Sequence, residues 1–181
     1  MEDSIVGNNT RNLGSTLLLL MAVCSTLASG AAPAQTEEAA VLKTVDAFFA
    51  AMTDRDGEAL RKLTIQGSLN IWTANPPEAR ELNLINYTQL MSRFSGAGPR
   101  MVERYWDPTV LIEGNIALFW APYDFHVDGN FSHCGIDSFQ LVKREGSWLL
   151  SNLSWTRQYD NCAPSPLGPL RQDSRQARVR D

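Results

Sequence analysis

The chain has few of the residues that usually advertise chemistry: among 181 residues there are two histidines and three cysteines. No pair of them stands at metal-ligand spacing, which excludes a zinc finger or an H-E-x-x-H centre, and the sequence points to no metal. No glycine-rich phosphate loop and no Gly-x-Ser-x-Gly elbow occurs, so P-loop nucleotide chemistry and α/β-hydrolase chemistry are excluded as well. Positive charge is also scarce. The formal net charge is −4, and Arg171, Arg175, Arg178 and Arg180 lie at the end of the chain rather than inside a domain. Phosphate backbones need a concentrated basic surface, so nucleic acid is not a partner. There is no internal repeat.

One apolar run does occur, over residues 13–27, after Arg11 and before the small residues 28–34. This order of charge, apolar run and small residues reads as an export signal over residues 1–34. The run is short for a membrane span and is interrupted by Ser15, Thr16, Ser25 and Thr26, so no stable membrane span is expected after cleavage. The expected location is secreted or periplasmic. Removal of the signal takes Cys24 with it and leaves Cys134 and Cys162. An even count in an oxidising compartment invites a disulfide, but a hairpin turn at Glu145-Gly146 puts Cys134 opposite Arg157, five residues short of Cys162. Cystine and two free thiols both remain open.

Residues 35–162 read as one domain. Thr36 with Glu37 and Glu38 opens a helix in which Val41, Val45, Phe48, Phe49 and Met52 recur at helical spacing. Asp54-Arg55-Asp56-Gly57 ends it, and residues 58–63 form a second, short helix. Residues 67–73 alternate as a strand until Asn75-Pro76-Pro77, a third helix covers 86–94, and strands follow at 100–106 and 109–112. Helices first and strands afterwards give an α+β layout, with N-terminal helices packed on one face of a curved, mostly antiparallel sheet. Residues 163–181 carry no hydrophobic periodicity and read as a disordered tail.

The chain is organised around residues 117–150, two β-hairpins turning at Asp128-Gly129 and Glu145-Gly146. An uninterrupted register sets His126 opposite Phe131, Asp124 opposite His133, Trp120 opposite Asp137 and Leu118 opposite Phe139. It then sets Asn152 opposite Phe139, Ser154 opposite Asp137 and Leu150 opposite Leu141. The shared face grades from apolar to polar, as a cone-shaped pocket requires. Its expected ligand-binding residues are Trp120, Phe139, Ser154, Asn152 and Trp148. Its expected acid-base residues are Asp137, partly desolvated, and the cross-strand pair Asp124 and His133. The opposite face, with Phe119, Tyr123, Phe125, Ile136, Leu149, Leu153 and Trp155, is too apolar for water and is expected to form a homodimer interface.

Asp54-Arg55-Asp56-Gly57-Glu58-Ala59-Leu60 after the first helix, Gly146-Ser147-Trp148 opening the last strand, and the elements Trp-Ala-Pro-Tyr, Ser-His-Cys-Gly and Asp-Ser-Phe-Gln-Leu-Val resemble the nuclear-transport-factor-2-like superfamily over residues 36–162. Within it, the chain looks most like the bacterial branch associated with lumazine binding, a neighbour of the SnoaL-like polyketide cyclases. The resemblance implies a cone of three helices on a curved sheet, commonly dimeric, with no metal and no obligatory cofactor. The leading expectation is an exported protein that binds a small hydrophobic or aromatic molecule. The alternatives are a cofactor-independent lyase or isomerase using an Asp/His pair, and an interaction module acting through the convex sheet face.

Overall fold

The computed structural model describes residues 36–74 and 82–171. The expected signal and the last ten residues of the expected tail lie outside the described residues. Helix α1 (Glu37–Asp54) begins on Thr36, whose Oγ1 accepts from Ala39 N at 3.2 Å, and carries Glu37 and Glu38 in its first turn. The hydroxyl satisfies an N–H that no helical carbonyl can reach, and the acids complement the positive end of the helix. The helix ends on Arg55 in the left-handed conformation, φ 57°. Asp56 then caps α2 (Gly57–Leu63) by accepting from the N–H groups of Glu58 and Ala59. The third helix, α3 (Tyr87–Phe94), starts on a reciprocal capping box between Asn86 and Gln89.

Beyond ending α1, the Asp54-Arg55-Asp56-Gly57 segment holds the distant loop that follows α3. The Arg55 guanidinium donates to the carbonyls of Arg93, Ser95, Gly96, Ala97 and Pro99. Two glycines allow the close approach: a Cβ on Gly57 would strike Ser95, and one on Gly98 would strike Arg55 itself.

The strands are β1 (Thr64–Ala74), β2 (Leu82–Asn86), β3 (Met101–Tyr105), β4 (Thr109–Glu113), β5 (Ile116–Val127), β6 (Asn130–Arg144) and β7 (Ser147–Arg157). They form one sheet in the order β2-β1-β7-β6-β5-β3, with β4 on the half of β5 that β3 leaves open. Only β1 and β7 run parallel. This is the expected α+β layout, with β2 as a strand that the alternation in the sequence is too weak to reveal. Phe48 and Phe49 of α1 stand on Phe139 of β6, ring centroids 6.3 and 5.8 Å apart, at the centre of the core.

Both hairpins turn where expected. Asp128 and Gly129, and again Glu145 and Gly146, have positive φ at both central residues, the conformation that matches the twist of the flanking strands. His126 opposes Phe131, and Leu150 opposes Leu141, as the turns require. Further along, two bulges correct the expected register. Ser132 is an extra residue in β6, so Phe125 rather than Asp124 opposes His133, Ala121 rather than Trp120 opposes Asp137, and Phe119 rather than Leu118 opposes Phe139. Ser151 is an extra residue in β7, so Trp155 opposes Asp137 and Leu153 opposes Phe139 in place of Ser154 and Asn152. Because side chains alternate, each extra residue exchanges the two faces of the strand beyond it.

The apolar set expected at a dimer surface is thereby divided. Phe119, Tyr123, Phe125, Leu153 and Trp155 turn towards the helices, while Ile136 and Leu149 stay outside. The Ser151 bulge also moves Cys134 opposite Gln158, and the chain doubles back to join Cys134 to Cys162. Residues 163–169, expected to begin the tail, then cross the outer face over Arg104, Asp124 and His126, where Arg104 donates to the Gly168 carbonyl at 2.9 Å. Polar groups on that face, hidden from a sequence reading, give the segment something to bind.

The bond closes a loop across a sequence separation of 28, so its chain-entropy contribution is about 3–4 kcal/mol. Replacing both Cys134 and Cys162 with Ser is expected to lower the unfolding free energy by roughly 3 kcal/mol, read from urea melts of the oxidised proteins.

Candidate functional site

Between the helices and the inner face of the sheet lies a pocket walled by Phe48, Phe49, Met52, Leu90, Phe94, Phe139 and Leu153. It encloses about 430 Å³ including its mouth, of which about 30 Å³ admits the centre of a water molecule. The walls are therefore close together, and a ligand entering between them is small or flat. Set among these apolar groups are Glu103, Tyr123, His133, Asp137, Arg93 and Arg157.

Glu103 on β3 and Asp137 on β6 reach across the intervening β5 and share a hydrogen bond between their carboxyl groups. Ala121, directly opposite Asp137, leaves the space above β5 open. Such a bond exists only while the pair holds a proton, since two carboxylates both lack a donor. Burial pushes Glu103 up to about 7, opposed by its hydrogen bond to Asp137 and by the charge of Arg157. Burial also drives Asp137 well above the usual carboxyl range, and the neighbouring Glu103 adds to the shift. Asp137 is 1% exposed, and its Oδ2 has no hydrogen-bond partner.

The other polar groups are neutral or basic. Tyr123 donates to the Thr156 carbonyl at 2.7 Å, and burial, followed by the nearby carboxyl charges, keeps its phenol protonated. His133 is buried, with Ser132 Oγ 3.0 Å from Nδ1, and its ring lies 4.8 Å from that of Phe125. Burial, then the charges of Arg157 and Arg93, lowers it to about 4, so the imidazole is uncharged at neutral pH. Among the described residues no three potential metal ligands come together.

No protein-family model and no curated protein matches the chain, but solved structures do. An NTF2-like protein from Cytophaga hutchinsonii superposes with a TM-score of 0.58 at 12% identity, over 68% of this chain and 99% of that one. An NTF-2 like protein of unknown function from Silicibacter pomeroyi does so with a TM-score of 0.52 at 18% identity, over 67% and 96%. A member of the NTF2-like family from Streptomyces avermitilis, provisionally described as a dehydratase, gives 0.53 at 13% identity, over 66% and 94%.

The chain has the nuclear-transport-factor-2-like fold.

Of the residues expected to form the site, the NTF2-like pocket collects Asp137, His133 and Phe139. Asp124 is not among them. It lies on the outer face, where burial alone would raise its carboxyl, but Arg104, bonded to both carboxylate oxygens, and His126, 3.4 Å away, hold it below the usual range. Trp120, 48% exposed, also points outward. Asn152 and Ser154 share that face, where Asn152 bonds to Gln140 and to Leu69 N. Trp148 is on the inner face but away from the pocket, donating to Glu37 at the start of α1. Glu103, Tyr123, Arg93 and Arg157 are the functional candidates that the register arithmetic missed. The signal available for Glu103 was a lone acid alternating with Met101 and Tyr105 on one face of the strand at 100–106.

The buried acids make stability depend on pH. Between about 4.5 and 7 the unfolded chain has ionised both groups while the folded one retains their protons, so folding loses stability as pH rises through this window. His133 acts oppositely: its stability contribution is lost as pH falls from 6.5 towards 4. Above pH 6.5 only the carboxyls act. Wild type is expected to lose on the order of 1–3 kcal/mol between pH 6 and 8, and Glu103→Gln, which removes one of the two raised carboxyls and leaves buried Asp137, to lose less over that range in denaturant melts.

Proposed function

We propose that the pocket moves a proton on a small apolar substrate, as a cofactor-independent lyase or isomerase. The observation that carries this reading is the hydrogen-bonded pair Glu103 and Asp137 in an apolar pocket. Neighbouring carboxyls whose environments separate their proton affinities divide the work of base and acid. Glu103, which titrates near neutrality, takes the proton from carbon; Asp137, which keeps its proton, donates to the oxygen where charge develops. His133 is uncharged at neutral pH and serves as a polar wall. This Asp/Glu assignment replaces the expected Asp/His pair, whose Asp124 lies on the other side of the sheet.

A second reading is simple binding of a small hydrophobic or aromatic molecule. The narrow apolar walls favour it, as does the commitment of the Tyr123 hydroxyl to a backbone carbonyl. In both readings the protein acts after export: the Cys134–Cys162 bond is at home in an oxidising compartment. A second copy of the chain is proposed on the outer face, where Leu111, Ile116 and Trp120 are exposed together on β4 and β5.

Proton transfer is tested by following deuterium uptake next to the carbonyl of 2-indanone and cyclohexenone in heavy water. Wild type is expected to exceed the buffer rate, and Glu103→Gln and Asp137→Asn to lose about 10²- to 10⁴-fold of the enhancement. Rates equal to buffer, or unchanged in both variants, would leave binding as the surviving reading.

A further inference from the structure

The two arginines of the pocket have a purpose that proton transfer does not use. Arg157 ends β7 with its guanidinium carbon 4.1 Å from the Trp72 ring centroid and 5.7 Å from that of Trp155. The aromatic faces fix the plane of the cation, but a π-face does not satisfy N–H groups that lie in that plane. Arg157 Nε is buried and has no hydrogen-bond acceptor. Arg93, at the end of α3, lines the same pocket from the opposite wall. Among the described residues neither guanidinium is ion-paired with a carboxylate.

Two cations near one another, one with a buried N–H group lacking an acceptor, form an unfavourable arrangement that an anion relieves. Their mutual field is felt: burial, followed by the charge of Arg157, lowers the pKa of Arg93. Glu103 offsets only part of this charge, because it titrates near neutrality, and Asp137 offsets none while protonated. With Glu103 ionised the surplus is one positive charge, which suits a monoanion better than a phosphate dianion. The planar fork of arginine matches the two oxygens of a carboxylate. Exposed Arg93 and half-exposed Arg157 and Trp155 mark the mouth, while Phe48, Met52 and Phe139 are fully buried deeper in.

We propose that the pocket takes a small apolar monocarboxylate, its carboxylate held at the mouth by Arg93 and Arg157 and its apolar part lying against Phe48, Phe49, Met52 and Phe139. This names a substrate class for the pocket of the preceding section. It rests on that pocket but not on turnover.

The test is calorimetric titration of the full chain with phenylacetate, its uncharged isostere phenylacetamide, and phenylphosphonate at a pH where the last is a dianion. Phenylacetate is expected to bind at least about tenfold more tightly than either of the others. Raised salt should weaken it, and Arg93→Gln should reduce its affinity about tenfold. Arg157→Gln should do the same, and Arg157→Lys, which keeps the charge but loses the planar fork, should recover only part. Arg93 is exposed, so its variant stays folded even if loss of stacking on Trp72 destabilises the Arg157 variants. Equal binding of phenylacetate and phenylacetamide, tighter binding of phenylphosphonate, undetectable phenylacetate binding, or an affinity unchanged in Arg93→Gln would each overturn the inference. Deuterium uptake on neutral ketones is a separate readout, so proton transfer can stand when the carboxylate inference falls.

Discussion

One extra residue in β6 decides what the pocket contains. Without the bulge at Ser132, β5 would present Leu118, Trp120, Asp124 and His126 to the helices and turn Phe119, Tyr123 and Phe125 to solvent. With it, the inner face receives the aromatic residues, and the outer face receives Asp124, which Arg104 and residues 163–169 then cover. The bulge at Ser151 does the same for β7, bringing Leu153, Trp155 and Arg157 inside. A bulge costs some ladder hydrogen bonding, which is offset here by the burial of Phe119 and Tyr123, worth about 2 kcal/mol each.

That arrangement creates an electrostatic problem and holds it in place. Asp137 cannot turn outward, because its strand neighbours are fixed, and Glu103 arrives from β3 in a direction set by pairing with Phe125. Two acids in apolar surroundings cannot both ionise without large cost, so they share a proton. The same walls hold His133 uncharged. The Arg55 guanidinium contributes from outside the pocket: by binding the loop after α3, it fixes the end of the helix that carries Arg93 and Phe94. Burial is thus both what stabilises the fold and what sets the protonation states of the site.

The turns were legible in the sequence because Asp-Gly and Glu-Gly between β-rich runs have a local cause, the need for positive φ. Helix α1 was legible because its cap and apolar spacing are also local. The superfamily resemblance agreed with the fold because the order of helices and strands survives at identities of 12–18%. The burial of Asp137 was legible from its half-apolar strand, although Trp120 and Ser154, expected beside it, lie on the other face. What stayed hidden depends on non-local facts. Ser132 and Ser151 bear no mark of a bulge, since any residue can be the extra one. Glu103 gains its meaning only from a neighbour 34 positions away, across a strand. Residues 163–169 look like a tail until the outer-face charges they cover are known.

The chemistry proposed for the pocket depends on a proton that Glu103 and Asp137 share at neutral pH. Infrared difference spectra of protein labelled with ¹³C at aspartate carboxyls, recorded at pH 7, test it directly. The expected result is a protonated-carboxyl stretch that shifts with the label, persists at pH 7, and disappears in Asp137→Asn. A spectrum containing only ionised aspartate at pH 7 would contradict it.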